Sequence, residues 1–217
     1  MNYVRRRFQV KIKDITIEVH QGDLPGGLDF GASVAVDTET AGLNPHRDRL
    51  CLVQLRPRNG VCHLVKMAPG AIEAPNLKAL LVDQSVTKMF HYARFDMMMF
   101  RRYLGVVCRP VYCTKIVSRL VRTYTVNHGL KDLCAELLGM EISKKQQSSD
   151  WAAPSLSREQ MEYAASDVLY LHEIGDKLDA MLAREGRVEL AEACFKFLAT
   201  RIDLDLGGWQ DQDIFSH

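Results

Sequence analysis

The first third of the chain is predicted to form strands, because its apolar residues either alternate with polar residues or stand in short runs. Residues 8–19 alternate, which predicts one strand or a small hairpin. Residues 34–36, Val-Ala-Val, are typical of a strand that is buried on both faces. Residues 50–55 and 61–65 predict two further strands, joined by a turn at residues 58–60, Arg-Asn-Gly. Three consecutive strands of this kind indicate an antiparallel meander.

Beyond residue 73 the apolar spacing becomes mostly helical. Gly105 is a predicted C-cap, Pro110 interrupts a strand, and Ser157 with Gln160 forms a capping box that begins a long helix. Early strands followed by strand–helix alternation and then by helices predict an α/β fold, with a sheet flanked by helices. Helices are predicted over residues 74–81, 94–104, 114–121, 130–138 and 157 to about 184, and strands over residues 86–90 and 106–112.

The composition narrows the class of protein. The chain has 217 residues, of which 47% are hydrophobic and 25% charged, which fits one soluble domain. Its net charge of +1 argues against a global basic field for long duplex nucleic acid. The six cysteines are scattered without a C-x-x-C pair, so we expect buried free thiols in a reducing compartment, the cytoplasm. We expect no signal peptide and no membrane association, because no apolar run is long enough.

Acidic residues follow the buried strand at residues 34–36 and recur at two later places. Asp37 and Glu39 alternate along the strand and therefore share a face, where a divalent cation would relieve their repulsion. Asp96 falls in the first turn of a predicted helix, among apolar neighbours. Tyr163 and Asp167 lie one helical turn apart. Taken singly, these residues are better explained by structural roles, namely a polar turn, a helix-dipole contact, and a core tyrosine beside an exposed acid.

Together the three blocks resemble the DEDD exonucleases, in their tyrosine subgroup. Residues 37–39 match the first acidic block of that family, residues 91–96 the second and residues 163–167 the third, with Tyr163 in the tyrosine position. Residues 130–133 and 147–151 resemble the ribonuclease D branch. Within it, residues from about 23 onward most resemble the nano-RNase C enzymes, short bacterial nucleases that clear RNA dinucleotides. The implied fold is a ribonuclease H-like mixed sheet of five or six strands flanked by helices.

The resemblance implies a chemistry that agrees with elementary electrostatics. Asp37, Glu39, Asp96 and Asp167 would hold two divalent cations, Mg²⁺ or Mn²⁺, since four acids in one cleft cannot all stay ionised without cations. Tyr163 would orient the attacking water rather than remove its proton, because an ordinary tyrosine pKa is near 10. The expected activity is 3′-5′ exoribonuclease cleavage of very short RNA, chiefly dinucleotides, to nucleoside 5′-monophosphates.

Several residues are candidates for contacting the RNA. Leu43 is expected to wedge between two bases, with a loop leucine packed on the core as the alternative, and His91 is either a substrate contact or a structural histidine. Capture of the 5′ phosphate is expected from a set of polar and basic residues near the cleft. The substrate-binding prediction comprises Thr38, Thr40, Leu43, His91, Tyr124, His128, Lys131 and Gln147, with Arg119, Arg122, Lys144 and Lys145 as further phosphate candidates.

The predicted organisation is a single exonuclease domain. Residues 1–30 form an N-terminal strand or arm, residues 31–186 the catalytic core, and residues 187–217 a C-terminal helix and tail that could contact another subunit. The resemblance implies a homo-oligomer, an octamer. Two alternatives remain at this stage, namely trimming of the 3′ ends of longer RNA or single-stranded DNA, and a catalytically silent RNA-binding scaffold.

Overall fold

The fold is built on a mixed sheet to which the described residues contribute seven strands, in the order β1-β2-β5-β4-β3-β6-β7. The structure, a computed structural model, describes residues 8–12, 15–70, 73–143 and 145–217. The predicted arm before residue 8 and the phosphate candidate Lys144 lie outside these residues. The strands are β1 (Phe8–Ile12), β2 (Ile15–Gln21), β3 (Ser33–Thr40), β4 (Leu50–Pro57), β5 (Cys62–Lys66), β6 (Thr87–Phe90) and β7 (Val111–Cys113).

The predicted mixed α/β sheet is confirmed. Strands β3, β4 and β5 form the expected antiparallel meander, and β1 pairs with β2 as a hairpin. Parallel pairing begins on both sides of the meander, where β2 joins β5 and where β6 and β7 extend the sheet from β3. The sequence predicts five or six strands. The sheet of the described residues has seven, because the N-terminal hairpin adds β1 at its edge.

Helices cover both faces of this sheet. Three of them continue into a π-helical turn, at Phe100–Leu104 after α2, at Cys134–Leu138 after α4 and at Asp205–Trp209 after α7. Among the described residues, no helix combines the length and the apolar character that crossing a bilayer requires. The helices are α1 (Pro75–Val82), α2 (Ala93–Met99), α3 (Thr114–Val121), α4 (Leu130–Leu133), α5 (Arg158–Leu169), α6 (Leu171–Glu185) and α7 (Val188–Leu204).

Two predicted elements are wrong in extent. The long helix from residue 157 is broken at Tyr170, where φ is −104° and ψ is 1°, so it forms α5 and α6. Arg56 of β4 donates a hydrogen bond to the carbonyl oxygen of Leu169 at 3.3 Å, which supports the end of α5. The strand predicted at residues 106–112 is reduced to β7, which begins directly after Pro110, a residue that has no backbone N–H to donate to a sheet ladder.

The alternation along β3 sends its side chains into two different cores. Val34 and Val36 pack with α2 on one face, whereas Ala35 packs on the other face in a cluster that includes Val168 of α5. Asp37 and Glu39 continue the series of Ala35 and therefore point toward α5. The six cysteines are free thiols, as expected, and five of them are buried.

Candidate active site

The C-terminal half of β3 supplies the first two acids of the site. Asp37 and Glu39 are partly buried on the face toward α5, and their strand is held between β4 and β6. Thr38, between them, points to the opposite face and donates a hydrogen bond to the Oδ1 of Asp96 at 2.6 Å. Strand alternation thus lets three consecutive residues serve the site from both faces of the sheet.

Asp96 lies in the first turn of α2, as predicted, and only 3% of it is exposed. Burial raises the pKa of its carboxyl group to about 7, while the hydrogen bond from Thr38 opposes that rise. The residue before the helix, Tyr92, has a φ of 77°, a conformation that few residues other than glycine adopt. Such a backbone conformation is often found at functional sites, where the surrounding structure holds it in place.

Helix α5 brings the third block to the acids of β3. Asp167 lies one turn after Tyr163, and its carboxylate belongs to a group with Asp37 and Glu39 in which single oxygen atoms of all three lie within 4.8 Å of one another. Asp96 is adjacent to this group rather than part of it. Its charge raises the pKa of Asp37, while its carboxylate accepts the hydrogen bond from Thr38. The structure therefore brings the four predicted metal ligands into one region.

The electrostatics of this group favour a bound cation. Burial raises the pKa of Asp37 well above its usual range, and the charge of Asp96 raises it further. Burial and then the charge of Asp167 raise the pKa of Glu39 from 4.5 to about 9. Carboxylates this close together cannot all be ionised unless positive charge is added. Oxygen ligands of this kind suit hard cations such as Mg²⁺ or Mn²⁺, so the residues present fit a divalent metal.

Tyr163 is held beside the acids by an aromatic neighbour. Its ring lies 6.0 Å from that of Trp151, measured between centroids, and the two planes are tilted by 39°. Burial, followed by the charge of Asp167, raises the pKa of the Tyr163 hydroxyl above its ordinary value. The hydroxyl therefore stays protonated at neutral pH, which suits a group that orients a water molecule and not one that removes its proton.

Three of the four acids, Asp37, Glu39 and Asp167, line an open cleft of about 640 Å³. Six of the eight predicted substrate-binding residues line it, namely Thr38, Thr40, Leu43, His91, Lys131 and Gln147. Leu43 is 82% exposed, which contradicts the alternative that it packs on the core. Lys115 also lines the cleft and lies 4.4 Å above the Tyr92 ring.

Two predicted contacts, Tyr124 and His128, are not among the residues that line the cleft. Tyr124 donates a hydrogen bond to Glu136 at 2.5 Å, and His128 is paired with Ser118 at 2.8 Å. The phosphate candidate Arg122 is fully buried and bonded to Glu136 and Ser118, so its guanidinium group already has partners. These residues form a polar network between α3 and the π-helical turn after α4, which sequence spacing alone does not reveal.

Sequence analysis missed three residues of the site. Gln54 faces Asp37 across the β3–β4 pair, and its Nε2 lies 3.4 Å from the Asp37 Oδ2. Trp151 is buried against Tyr163, and Lys115 stands over Tyr92. Strand register would have identified Gln54, because a residue opposite an acid is a natural partner. Trp151 lies in the loop before α5 and Lys115 lies on α3. The sequence alone does not predict that these two elements border the cleft.

Comparisons with known proteins agree with this geometry. A sequence model of the 3′-5′ exonuclease family matches residues 18–183. Ribonuclease D of Acidiphilium cryptum is 38% identical over 156 residues, which cover 72% of this chain and 39% of that protein. Ribonuclease D of Escherichia coli is 32% identical over 147 residues, which cover 67% of this chain and 38% of that protein. The chain therefore matches about two fifths of the length of these curated relatives.

Solved structures extend the similarity to nearly the whole chain. The structure of Brucella melitensis NrnC bound to pGG is 54% identical, with a TM-score of 0.90, and the match covers 94% of this chain and 99% of that one. A structure of the same protein with bound Mg²⁺ is 53% identical, with a TM-score of 0.89, covering 93% of this chain and 98% of that one. The chain therefore belongs to the 3′-5′ exonuclease family, as a ribonuclease D-like DEDD member similar to NrnC.

Proposed function

We propose that this protein is a metal-dependent 3′-5′ exoribonuclease that hydrolyses very short RNA, chiefly dinucleotides, to nucleoside 5′-monophosphates. The observation that carries the proposal is the group of Asp37, Glu39 and Asp167 in the wall of a cleft of about 640 Å³. A cleft of this size is typical of small-ligand sites. NrnC of Brucella melitensis, which is similar over nearly its whole length, has been solved with pGG bound.

The acids and the tyrosine divide the work of hydrolysis in this proposal. Asp37, Glu39, Asp96 and Asp167 would hold a pair of Mg²⁺ or Mn²⁺ ions, which supply a water molecule of lowered pKa and stabilise the departing 3′-oxygen. Tyr163 orients the attacking water through its protonated hydroxyl. Thr38 fixes one oxygen of Asp96 by its hydrogen bond at 2.6 Å, which leaves the other oxygen for the site.

Recognition of the RNA is proposed for other residues that line the cleft. Leu43, with most of its surface exposed at the cleft, offers an apolar surface on which bases stack without regard to sequence. Lys131 and Gln147 line the same cleft and carry donors suited to phosphate oxygens. Tyr124 and His128 would contribute only through the network that supports this region.

A second candidate function is trimming of the 3′ ends of longer RNA or single-stranded DNA. The ribonuclease D relatives favour it, and the solved Escherichia coli enzyme, described as an exoribonuclease involved in structured RNA processing, is 28% identical with a TM-score of 0.72. That match covers 83% of this chain and 48% of the Escherichia coli chain. The net charge of +1 weighs against this candidate, because long nucleic acids are usually held by basic surfaces.

A length series separates these functions. Hydrolysis of 5′-labelled RNA from two to about 20 nucleotides is measured with Mg²⁺ and with Mn²⁺, and the corresponding single-stranded DNA is included. Strong preference for the dinucleotide supports the proposal, indifference to length supports trimming, and the absence of cleavage supports a non-catalytic scaffold.

Leu43→Ala is expected to raise KM for the dinucleotide by about 10-fold, since stacking on a base contributes about 1–3 kcal/mol.

A matched control distinguishes stacking from a general loss of apolar surface. Val126 is 91% exposed and is not among the cleft-lining residues, so Val126→Ala removes a similar amount of exposed carbon without touching the cleft. Its KM for the dinucleotide should equal that of the wild type. Equal effects of the two substitutions would remove Leu43 from substrate recognition.

We propose a single exonuclease domain that acts in the cytoplasm as a homo-oligomer, an octamer by the resemblance. The support for assembly is a set of exposed apolar side chains at the C-terminal end, including Phe197 and Phe215, whose rings lie 6.2 Å apart. Light scattering after size exclusion tests the subunit number. A monomeric mass at micromolar concentration would contradict it.

A further inference from the structure

A second group of ligand-type side chains lies on the other face of the sheet, well apart in the strand order from β3. Glu18 and His20 are two residues apart on β2 and therefore share a face, and His63 lies opposite Glu18 in the parallel pair of β2 and β5. Their neighbours Ile17 and Val19 pack in the cluster beneath α5. The two histidines and the glutamate consequently point away from the face that carries Asp37 and Glu39.

The three ligand atoms have the spacing of a metal site. Nε2 of His20 lies 3.0 Å from Nδ1 of His63, and Oε2 of Glu18 lies 3.9 Å from each of these nitrogen atoms. A point about 2.1 Å from all three atoms exists at the centre of this triangle. Zinc is bound at about 2.0–2.1 Å by histidine nitrogen and about 2.0–2.2 Å by carboxylate oxygen. The triangle therefore matches zinc with little movement of the side chains.

The surroundings hold these atoms in place and exclude most of the water. His20 is 7% exposed and His63 is 6% exposed, while the Glu18 side chain is 16% exposed. The Phe30 ring stands edge-on to the His63 ring with 5.7 Å between centroids and 68° between planes. Buried imidazoles are usually neutral, which is the form that binds a metal. The carboxylate then supplies one negative charge toward the two positive charges of the ion.

We propose that Glu18, His20 and His63 bind a zinc ion that joins β2 to β5, with a water molecule as the fourth ligand that tetrahedral zinc requires. Imidazole nitrogen suits Zn²⁺, whereas the all-oxygen group at Asp37 suits Mg²⁺ or Mn²⁺, so the two faces of one sheet select different metals. The zinc site fastens the N-terminal hairpin, whose connection to the rest of the sheet runs through the β2–β5 pair. Without zinc, the same atoms remain joined by the hydrogen bond between His20 and His63.

The test uses the full-length protein, stripped with a chelator and then dialysed against limiting zinc in the presence of excess Mg²⁺, which occupies the carboxylate site. We expect one zinc ion per chain by elemental analysis. Anomalous diffraction at the zinc edge should place that ion between the three side chains. A stoichiometry near zero, or an anomalous peak only at Asp37, Glu39 and Asp167, would overturn the proposal.

Variants separate zinc binding from the simple loss of a buried histidine. His63→Gln and Glu18→Gln should each lower zinc affinity by at least about 100-fold and abolish the rise in Tm that zinc gives the wild type. His172→Gln is the matched control, because His172 is 2% exposed and bonds Ser33 away from the group. It should keep the wild-type zinc response. Equal zinc responses in the wild type and in Glu18→Gln would refute the site even if His63→Gln failed to fold.

Discussion

Two of the described regions that hold buried carboxylates, the π-helical turn after α7 and the cleft, have opposite surroundings. Asp205, in the π-helical turn after α7, is 2% exposed and accepts hydrogen bonds from Arg94 at 2.6 and 2.7 Å. Arg201 adds an ion pair at 2.8 Å. Two positive charges thus surround one negative charge, and the arrangement ties α7 to α2. This region is complete without any ligand.

Asp37 and Glu39 in the cleft lie close to charges of their own sign. The charges that shift the pKa of Asp37 and of Glu39 are those of other carboxylates, and every one of them raises it. The repulsion between the cleft carboxylates is therefore left uncompensated by the charges that act on Asp37 and Glu39, whereas Arg94 and Arg201 neutralise Asp205. The comparison teaches that a paired buried charge supports the architecture, while a set of like charges indicates that a cation belongs there.

The most direct test of this comparison removes one carboxylate of the cleft. Asp167→Asn takes away one ligand and should lower the single-turnover rate on a dinucleotide with Mg²⁺ by at least about 10³-fold, or about 4 kcal/mol in activation free energy. Circular dichroism should remain that of the wild type, since asparagine has nearly the same size and shape as aspartate. A wild-type rate in this variant would exclude Asp167 from the metal site.

The complementary change removes the paired acid. Asp205→Asn leaves Arg94 and Arg201 without their shared carboxylate, and we expect the free energy of unfolding to fall by about 3 kcal/mol. Urea denaturation measures this loss, and the rate per folded molecule should change less than about threefold. If catalysis fell as far as in Asp167→Asn, the two regions would not be independent.

A smaller effect is expected from the tyrosine that orients water. Tyr163→Phe should lower kcat by about 10²-fold, or about 2.7 kcal/mol, because it removes a positioning hydroxyl and leaves the carboxylates in place. Metal affinity, followed by titration calorimetry with Mn²⁺, should equal that of the wild type. A fall in metal affinity with little change in kcat would instead make Tyr163 part of the ligand set.

The smallest effect concerns the stability of the protein without metal. The pKa of Glu39 is raised from 4.5 to about 9 in the folded chain. Its contribution to the free energy of unfolding is therefore fully present below pH 4.5 and is lost as the pH rises toward 9. Glu39→Gln removes this loss and should raise the free energy of unfolding by about 0.5–2 kcal/mol at about pH 9 in EDTA. Thermal melts at about pH 5 and pH 9 measure it, and Mg²⁺ should narrow the difference from the wild type.

The local arrangement of the acids could be predicted from the sequence, because they stand in contexts that alternate along a strand or repeat by one helical turn. Asp37 with Glu39, and Tyr163 with Asp167, needed only the geometry of one strand and one helix. The break at Tyr170 was not predictable, since the contact from Arg56 that supports it comes from a distant strand. The burial of Arg122 was not predictable either, since its partner Glu136 lies on a separate helical segment.

The parallel pairing of β2 with β5 also has a consequence for how the chain is made. β2 is synthesised before the meander, yet its partner residues begin at position 62, so Ile17 must wait for Cys62 to leave the ribosome. During that interval the hairpin of β1 and β2 has a free strand edge on the side that β5 later covers. Completion of the N-terminal part of the sheet is therefore coupled to translation of the meander, and a pause between positions 21 and 62 would prolong the exposure of that edge to other nascent chains.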